Sequence, residues 1–228
     1  LAQVRATAGL SPVDCDNALQ TAARAHAAYR TMNPSSDWHG ETPGKPGFTG
    51  ADGGARARAA GFTGRVTLEV IGDFDLMLGS VYHRLPFLAW NSGKYGYAAE
   101  IWDFADGGTK PGVAAVTWPA DGAVGVSPRF LPLAEGPNPI PDATGYVGYP
   151  ISLHATGALA LTSATLMGPS GAVDAYVITA ATDSTGFIKN EAFVVAKAPL
   201  LPATAYTAVF HGSVDGTHLT QTVYFTTM

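Results

Sequence analysis

Apolar positions recur with two different periods along this chain of 228 residues, and the change from one to the other divides it. Over residues 11–32 the spacing is helical: Leu19, Ala22, Ala23, His26, Ala27 and Tyr29 or Arg30 fall on one face. Ser11-Pro12-Val13-Asp14 reads as the helix start, with Ser as N-cap, Pro at the first helical position and Asp at the capping-box position. Asn33-Pro34 ends it, because the residue before a proline is pushed out of the helical region. Gly, Pro, Ser, Thr and Asp then dominate residues 35–54, a long loop of the kind that tends to carry function. Residues 55–60 predict a short helix stopped by Gly61, 62–68 extended chain interrupted by Gly64, and 73–82 a further helix with Phe74, Leu76, Met77 and Val81 inward. Residues 95–102 and 113–117 read as strands, with Gly96 a weak point in the first.

Beyond Trp118 the helical period disappears. Residues 119–150 hold seven prolines, which helices and central strands do not accept, so 119–148 reads as an extended Pro-rich linker. From residue 149 onward apolar and polar residues alternate in short runs around Leu153, Leu166, Val177, Val194, Val209 and Tyr224, separated by turn residues such as Pro169-Ser170-Gly171 and Asp215-Gly216. That spacing predicts a small all-β sandwich. The expected organisation is α+β in two modules: 1–118, the linker 119–148, and a β-sandwich of immunoglobulin-like type over 149–228.

Composition narrows the function classes. Hydrophobic residues make up 46%, enough for a core, and charged residues only 14% against about 25% in an ordinary soluble domain. Net charge is -5 and no Lys/Arg cluster is present to neutralise phosphates, so nucleic acid is not an expected partner. The most basic stretch, Arg56 to Arg65, reads as a solvated helix face. A single cysteine, Cys15, excludes an intrachain disulfide; at a helix start it reads as a small, partly buried residue. No run approaches the roughly 18 apolar residues that span a bilayer. The chain opens on Leu1 without Met, as expected of a mature secreted or cell-surface form whose signal peptide has been removed.

The order of several short motifs resembles the CAP superfamily of cysteine-rich secretory, antigen 5 and pathogenesis-related proteins. Arg5-Ala-Thr-Ala-Gly-Leu-Ser-Pro resembles the lead into that family's first helix, and Ala22-Ala-Arg-Ala-His-Ala-Ala-Tyr the helix itself. Asp37-Trp38-His39-Gly40-Glu41 is similar to the segment carrying the first site histidine, Pro46-Gly47-Phe48-Thr49-Gly50 to a run in bacterial members, and Tyr82-His83-Arg84 to the His-Arg signature. Pro202-Ala-Thr-Ala-Tyr206 and Phe225-Thr-Thr resemble the β-sandwich appended to some bacterial members. The resemblance implies a three-layer α-β-α sandwich for the front module and a cleft with two histidines and two acids. Carried over, these are His39, His83 and Glu69, with Asp75, Asp73 or Glu41 as the fourth. Val70 stands where the family usually has the Asn of Glu-Asn-Ile, a departure within the motif.

Two imidazoles with carboxylates suit Zn²⁺ or another divalent metal, and His39, Glu69, His83 and Asp75 are the expected ligands. The same groups can form a metal-free network instead. Trp38, Glu41 and Tyr82 are expected to line the ligand cleft, with Phe48 and Trp90 as further aromatic candidates. The expected partner is a small molecule, a lipid or a cell-surface glycan, with no assigned reaction and the sandwich as spacer or adhesion unit. A His/Glu-dependent, metal-assisted hydrolase of peptide or cell-wall bonds is the alternative, and a surface protein with a vestigial site the third reading. His26 reads as a satisfied core histidine, and His154, His211 and His218 as surface residues. Ser80 and Ser127 lack a nucleophile-elbow context, and Asp52-Gly53 and Asp121-Gly122 read as turns, not calcium loops.

Overall fold

The computed structural model describes all 228 residues and divides them into two compact units. The first comprises Leu1–Ala6, Ser11–Leu78 and Pro86–Lys110; the second Thr7–Leu10, Gly79–Leu85 and Pro111–Met228.

The first unit begins with helix α1 (Ala2–Thr7), the short strand β1 (Asp14–Cys15) and helix α2 (Asn17–Met32). Sequence reading started this helix at Ser11. The structure starts it at Asn17, because Asp14 and Cys15 pair in parallel with Lys94 and Tyr95, and Asp16 is the residue whose carboxylate caps Ala18 and Leu19. Cys15 is exposed there. Helix α3 (Gly53–Ala59), capped by Asp52, leads into β2 (Val66–Ile71) and the short helix α4 (Phe74–Leu78), capped by Asp73. Helix α5 (Leu85–Leu88) and the hairpin β3 (Ser92–Ala98) and β4 (Ile101–Asp106) follow.

The sheet order is β1-β3-β4-β2. Successive side chains of β4 alternate between its faces. Ile101 and Ala105 pack with Ala23, Leu19 and Ala22 of α2, while Trp102 and Phe104 meet Phe87, and Trp102 also Phe74, in an aromatic cluster. Helices thus cover both faces. A Cβ at Gly96 would collide with the backbone of Leu19 and Gln20, so this glycine marks the place where α2 lies directly on β3. Arg5 of α1 is fully buried without a carboxylate. Its guanidinium donates to the carbonyls of Ser11, Phe87, Ala89 and Ser92 at 2.8–3.2 Å, and burial lowers its pKa to about 10.

Residues 95–102, expected as one strand, are two strands joined by a tight turn at Ala99-Glu100, whose φ angles are +48° and +66°. Neither residue announces a turn, since that conformation normally selects Asn-Gly. The double substitution Ala99→Asn, Glu100→Gly is therefore expected to stabilise this unit by about 1 kcal/mol. A urea midpoint that does not rise would show that the turn is unstrained.

The second unit is built from β5 (Ala115–Trp118), β6 (Ala123–Val126), a 3-10 turn (Pro132–Ala134), β7 (Ile151–Ala155), β8 (Leu159–Gly168), β9 (Gly171–Val173), β10 (Ala175–Thr179), β11 (Glu191–Ala196), β12 (Ala205–Val214) and β13 (Thr217–Thr227). They form two sheets, β10-β11-β7-β5 and β6-β13-β12-β8-β9. Ile151, Leu153, Ala192 and Val194 of the first share a core with Leu166, Phe210, Val223 and Phe225 of the second. The reverse face of the first sheet is also buried, which explains why β7 is buried at every position. Phe193 and Val195 there pack with Val81 and Tyr82 and with Ile140, Ala143 and Val147. The Pro-rich stretch 119–148, read as a linker, contains strand β6 and these three core residues, and Phe130 bridges to Val147. Proline excludes a residue from ladder donation, but not from apolar packing.

This reverse face also holds a polar group. Arg84 donates to the Pro150 carbonyl and to Ser152 Oγ, at 2.7 and 3.0 Å. Ser152 Oγ donates in turn to the Trp118 carbonyl and accepts from His154 Nε2 at 2.9 Å. His154 is therefore buried, not on the surface as its strand position suggested; burial, then the Arg84 charge, lower its pKa to about 3.

Candidate functional site

In the first unit the loop between α2 and α3 is anchored by a buried ionic group. His26, on the inner face of α2, is fully buried, with Nδ1 2.9 Å from Glu41 Oε1 and Nε2 2.9 Å from the Trp38 carbonyl. The Trp38 carbonyl can only accept, so Nε2 is a donor, and Nδ1 faces the Glu41 carboxyl. Glu41, weighed from sequence as a partner of His39, belongs to His26. Its Oε2 also accepts the Thr49 and Gly50 amides, at 2.6 and 3.2 Å, closing the loop on itself. Tyr29 Oη accepts the Thr42 amide.

Arg56 is the buried cation of this group. It was read as part of a solvated helix face, yet it is fully buried, while Arg58 on the same helix is exposed. Its guanidinium donates to the His39 carbonyl at 3.1 Å, pairs closely with Glu69 Oε2, and places Nε 3.9 Å from Glu41 Oε1. Glu69 lies on β2, and its Oε1 accepts from His39 Nδ1 at 3.1 Å. Burial alone would raise the Glu69 carboxyl; the His39 hydrogen bond and the Arg56 charge outweigh it and hold the group below its ordinary range.

Directly opposite Glu69 in the ladder stands Asp103 of β4. It is fully buried, and neither carboxyl oxygen has a hydrogen-bond partner. Burial first, and then the Glu69 charge, raise its pKa to about 8. The Arg56 guanidinium is paired with Glu69, and no cation is paired with Asp103. Gly53 closes over this pair: a Cβ there would stand 3.2 Å from Asp103 Oδ1 and 3.5 Å from Glu69 Oε2.

His39 is the group this network presents to solvent. Its side chain is 49% exposed, one nitrogen is fixed by Glu69, and its backbone amide is turned by Asp37 Oδ1 at 2.8 Å. Trp38 beside it is 63% exposed. The structure therefore brings together His39, Glu69 and the candidate Glu41, and adds His26, Arg56 and Asp103. Asp75 sits exposed in the first turn of α4 and takes no part in this group.

Tyr82 and His83 belong to the second unit. Tyr82 Oη donates to Asp183 Oδ1 at 2.9 Å, and burial pushes its phenol up to about 12. His83 Nδ1 lies 3.0 Å from Glu135 Oε1. The buried Glu135 carboxylate also accepts the backbone amides of Val81, Tyr82 and His83, at 2.6–2.9 Å, and so sets the turn that carries His83. Sequence reading missed Arg56, Asp103 and Glu135. Only Asp103 left a signal, an acid set between the large apolar residues Trp102 and Phe104.

No group of three or more His, Cys, Asp or Glu side chains is arranged to hold a metal ion. In the first unit the reason is chemical: both Glu69 oxygens are taken, one by His39 and one by Arg56, and its charge is compensated. This donor set does not fit a resident cation. No helix is long and apolar enough to cross a membrane. None of the curated proteins matches the chain. Residues 1–100 match the model of the CAP family, the cysteine-rich secretory protein family, which supports placing this part of the chain in the CAP superfamily and takes in His39, Glu69 and His83 but neither Asp103 nor Glu135.

Proposed function

We propose that this is a CAP-domain protein acting outside the cell, and that it binds a small ligand at the His39–Glu69 cleft without carrying out a hydrolytic reaction. The observation that carries this reading is the state of Glu69. Its carboxylate, held below its ordinary range and paired to a buried arginine, is a poor general base, because base strength falls with pKa. What remains is a half-exposed imidazole held in one orientation by Glu69, which suits recognition of a hydroxyl or carbonyl. The family match supports an extracellular setting.

Two measurements test this. On immobilised lipids and glycans, the full chain is expected to retain at least one ligand, and His39→Ala to retain it at least about tenfold more weakly. Equal retention by the variant would remove His39 from the site, and no retention at all would end the binding reading. Calorimetric titration with Zn²⁺ is expected to show no saturable heat. A saturable zinc signal that His39→Ala abolishes would restore the metal reading.

A further inference from the structure

Beside Trp38 the first unit carries a groove of about 390 Å³, with Arg30, Asn33, Ser36, Trp38, Ala99 and Ile101 in its wall. That volume suits one or two sugar rings, within the range of small-molecule sites. The Arg30 guanidinium lies 4.4 Å from the Trp38 ring centroid, stacked on one side of the indole, which nevertheless remains 63% exposed. Arg30 makes no ion pair of its own. The nearest carboxylate in sequence, Asp37, is engaged by the amides of His39 and Gly40. Asn33 uses its Nδ2 on the carbonyls of Tyr29 and Pro46, leaving Oδ1 as an acceptor, and Ser36 adds a hydroxyl. The wall thus combines one open aromatic face, one uncompensated guanidinium, one acceptor and one hydroxyl on a small apolar floor.

We propose that this groove is a saccharide subsite selective for a carboxylated sugar, with Trp38 as the stacking platform and Arg30 as the residue that selects the acid; the inference rests on the ligand-binding reading above. The C–H face of a pyranose carries slight positive charge and matches the negative face of an indole. Its hydroxyls pair with the Asn33 acceptor and the Ser36 hydroxyl. Arg30, stacked and therefore ordered, offers its N–H edge to a planar carboxylate in a two-point contact that a lysine does not reproduce. An acyl chain would leave these polar groups without partners, so the groove favours a saccharide over a lipid tail.

Calorimetric titration of the full chain with sialyllactose, a hyaluronan tetrasaccharide and trigalacturonate, each against a neutral counterpart such as lactose or cellotriose, tests the assignment. At least one acidic saccharide is expected to bind, about tenfold more tightly than its neutral counterpart. Arg30→Gln is expected to collapse that preference while neutral binding persists, and Trp38→Ala, with an unchanged circular dichroism spectrum, to lose both. If none of the acidic saccharides binds, or if Arg30→Gln keeps the preference, the proposal is wrong. His39→Ala separates the two readings. If it keeps full saccharide affinity, the groove stands and the His39 cleft falls. If Trp38→Ala keeps an affinity that His39→Ala loses, the groove falls and the cleft stands.

Discussion

Replacing Arg56 by Met is expected to cost the front unit about 3–5 kcal/mol, the range for removing one partner of a buried ion pair. The side chain sits fully buried between Glu69 and Glu41 and also satisfies the His39 carbonyl. Methionine fills most of the volume, so the loss is electrostatic and not a cavity effect. Glu69 and Glu41 would then lose the guanidinium that stands between them. The cheapest relief is to protonate Glu69, so the destabilisation should shrink as pH is lowered. Three of the four tryptophans, Trp38, Trp90 and Trp102, belong to the first unit, which makes urea unfolding followed by fluorescence a suitable readout. The exposed Arg58, two residues further along the same helix and on its other side, is the control, and Arg58→Met is expected to change stability by less than about 0.5 kcal/mol. Equal effects of the two substitutions would mean that Arg56 compensates nothing.

Asp103→Asn works in the opposite direction. The carboxyl titrates near 3.8 in a free chain and at about 8 in the folded one, so between these values folding requires uptake of a proton. Stability from this group is complete at low pH, falls by about 1.4 kcal/mol for each unit of rising pH across that window, and levels off above it. Asparagine keeps the shape, cannot ionise, and can donate toward Glu69. At pH 7 the variant is expected to be more stable than the parent by about 2–4 kcal/mol, and to lose the decline between pH 5 and 8. The fluorescence probe matters here. His154 in the second unit has a lowered pKa and produces the opposite trend, with stability lost as pH falls below about 6.5. An unchanged pH profile for Asp103→Asn, or a variant weaker than the parent at pH 7, would place the carboxylate in a compensated setting instead.

These two substitutions act on residues whose roles the sequence did not reveal, and the contrast with what it did reveal is physical. The end of α2 was legible because Asn33-Pro34 acts through local sterics, whereas its beginning was not. Ser11-Pro12 is a valid start signal, and it lost to a strand pairing with residues some 80 positions away. The back strands were readable because alternation reflects a sheet with distinct faces, and β8, β12 and β13 keep that pattern. The turn at Ala99-Glu100 was invisible because its residues lack turn chemistry, and tertiary packing imposes their backbone conformation. Composition also misled where proline density was read as an extended linker: residues 119–148 supply Ile140, Ala143 and Val147 to a core.

By itself the sequence determined the α+β class, the alternating strands of the second unit and the motifs that resemble the CAP family, while His39 and Glu69 came only as two of the site residues that the resemblance implied. Only the tertiary structure decided what that pair can do. Whether Glu69 is a base, a metal ligand or a spent counter-ion depends on Arg56, whether Asp103 carries a proton depends on how many cations are buried nearby, and Glu135 meets His83 across more than 50 residues of chain. Each is a matter of distance and dielectric among side chains that folding brings together, and neither quantity is written in the order of residues along the chain.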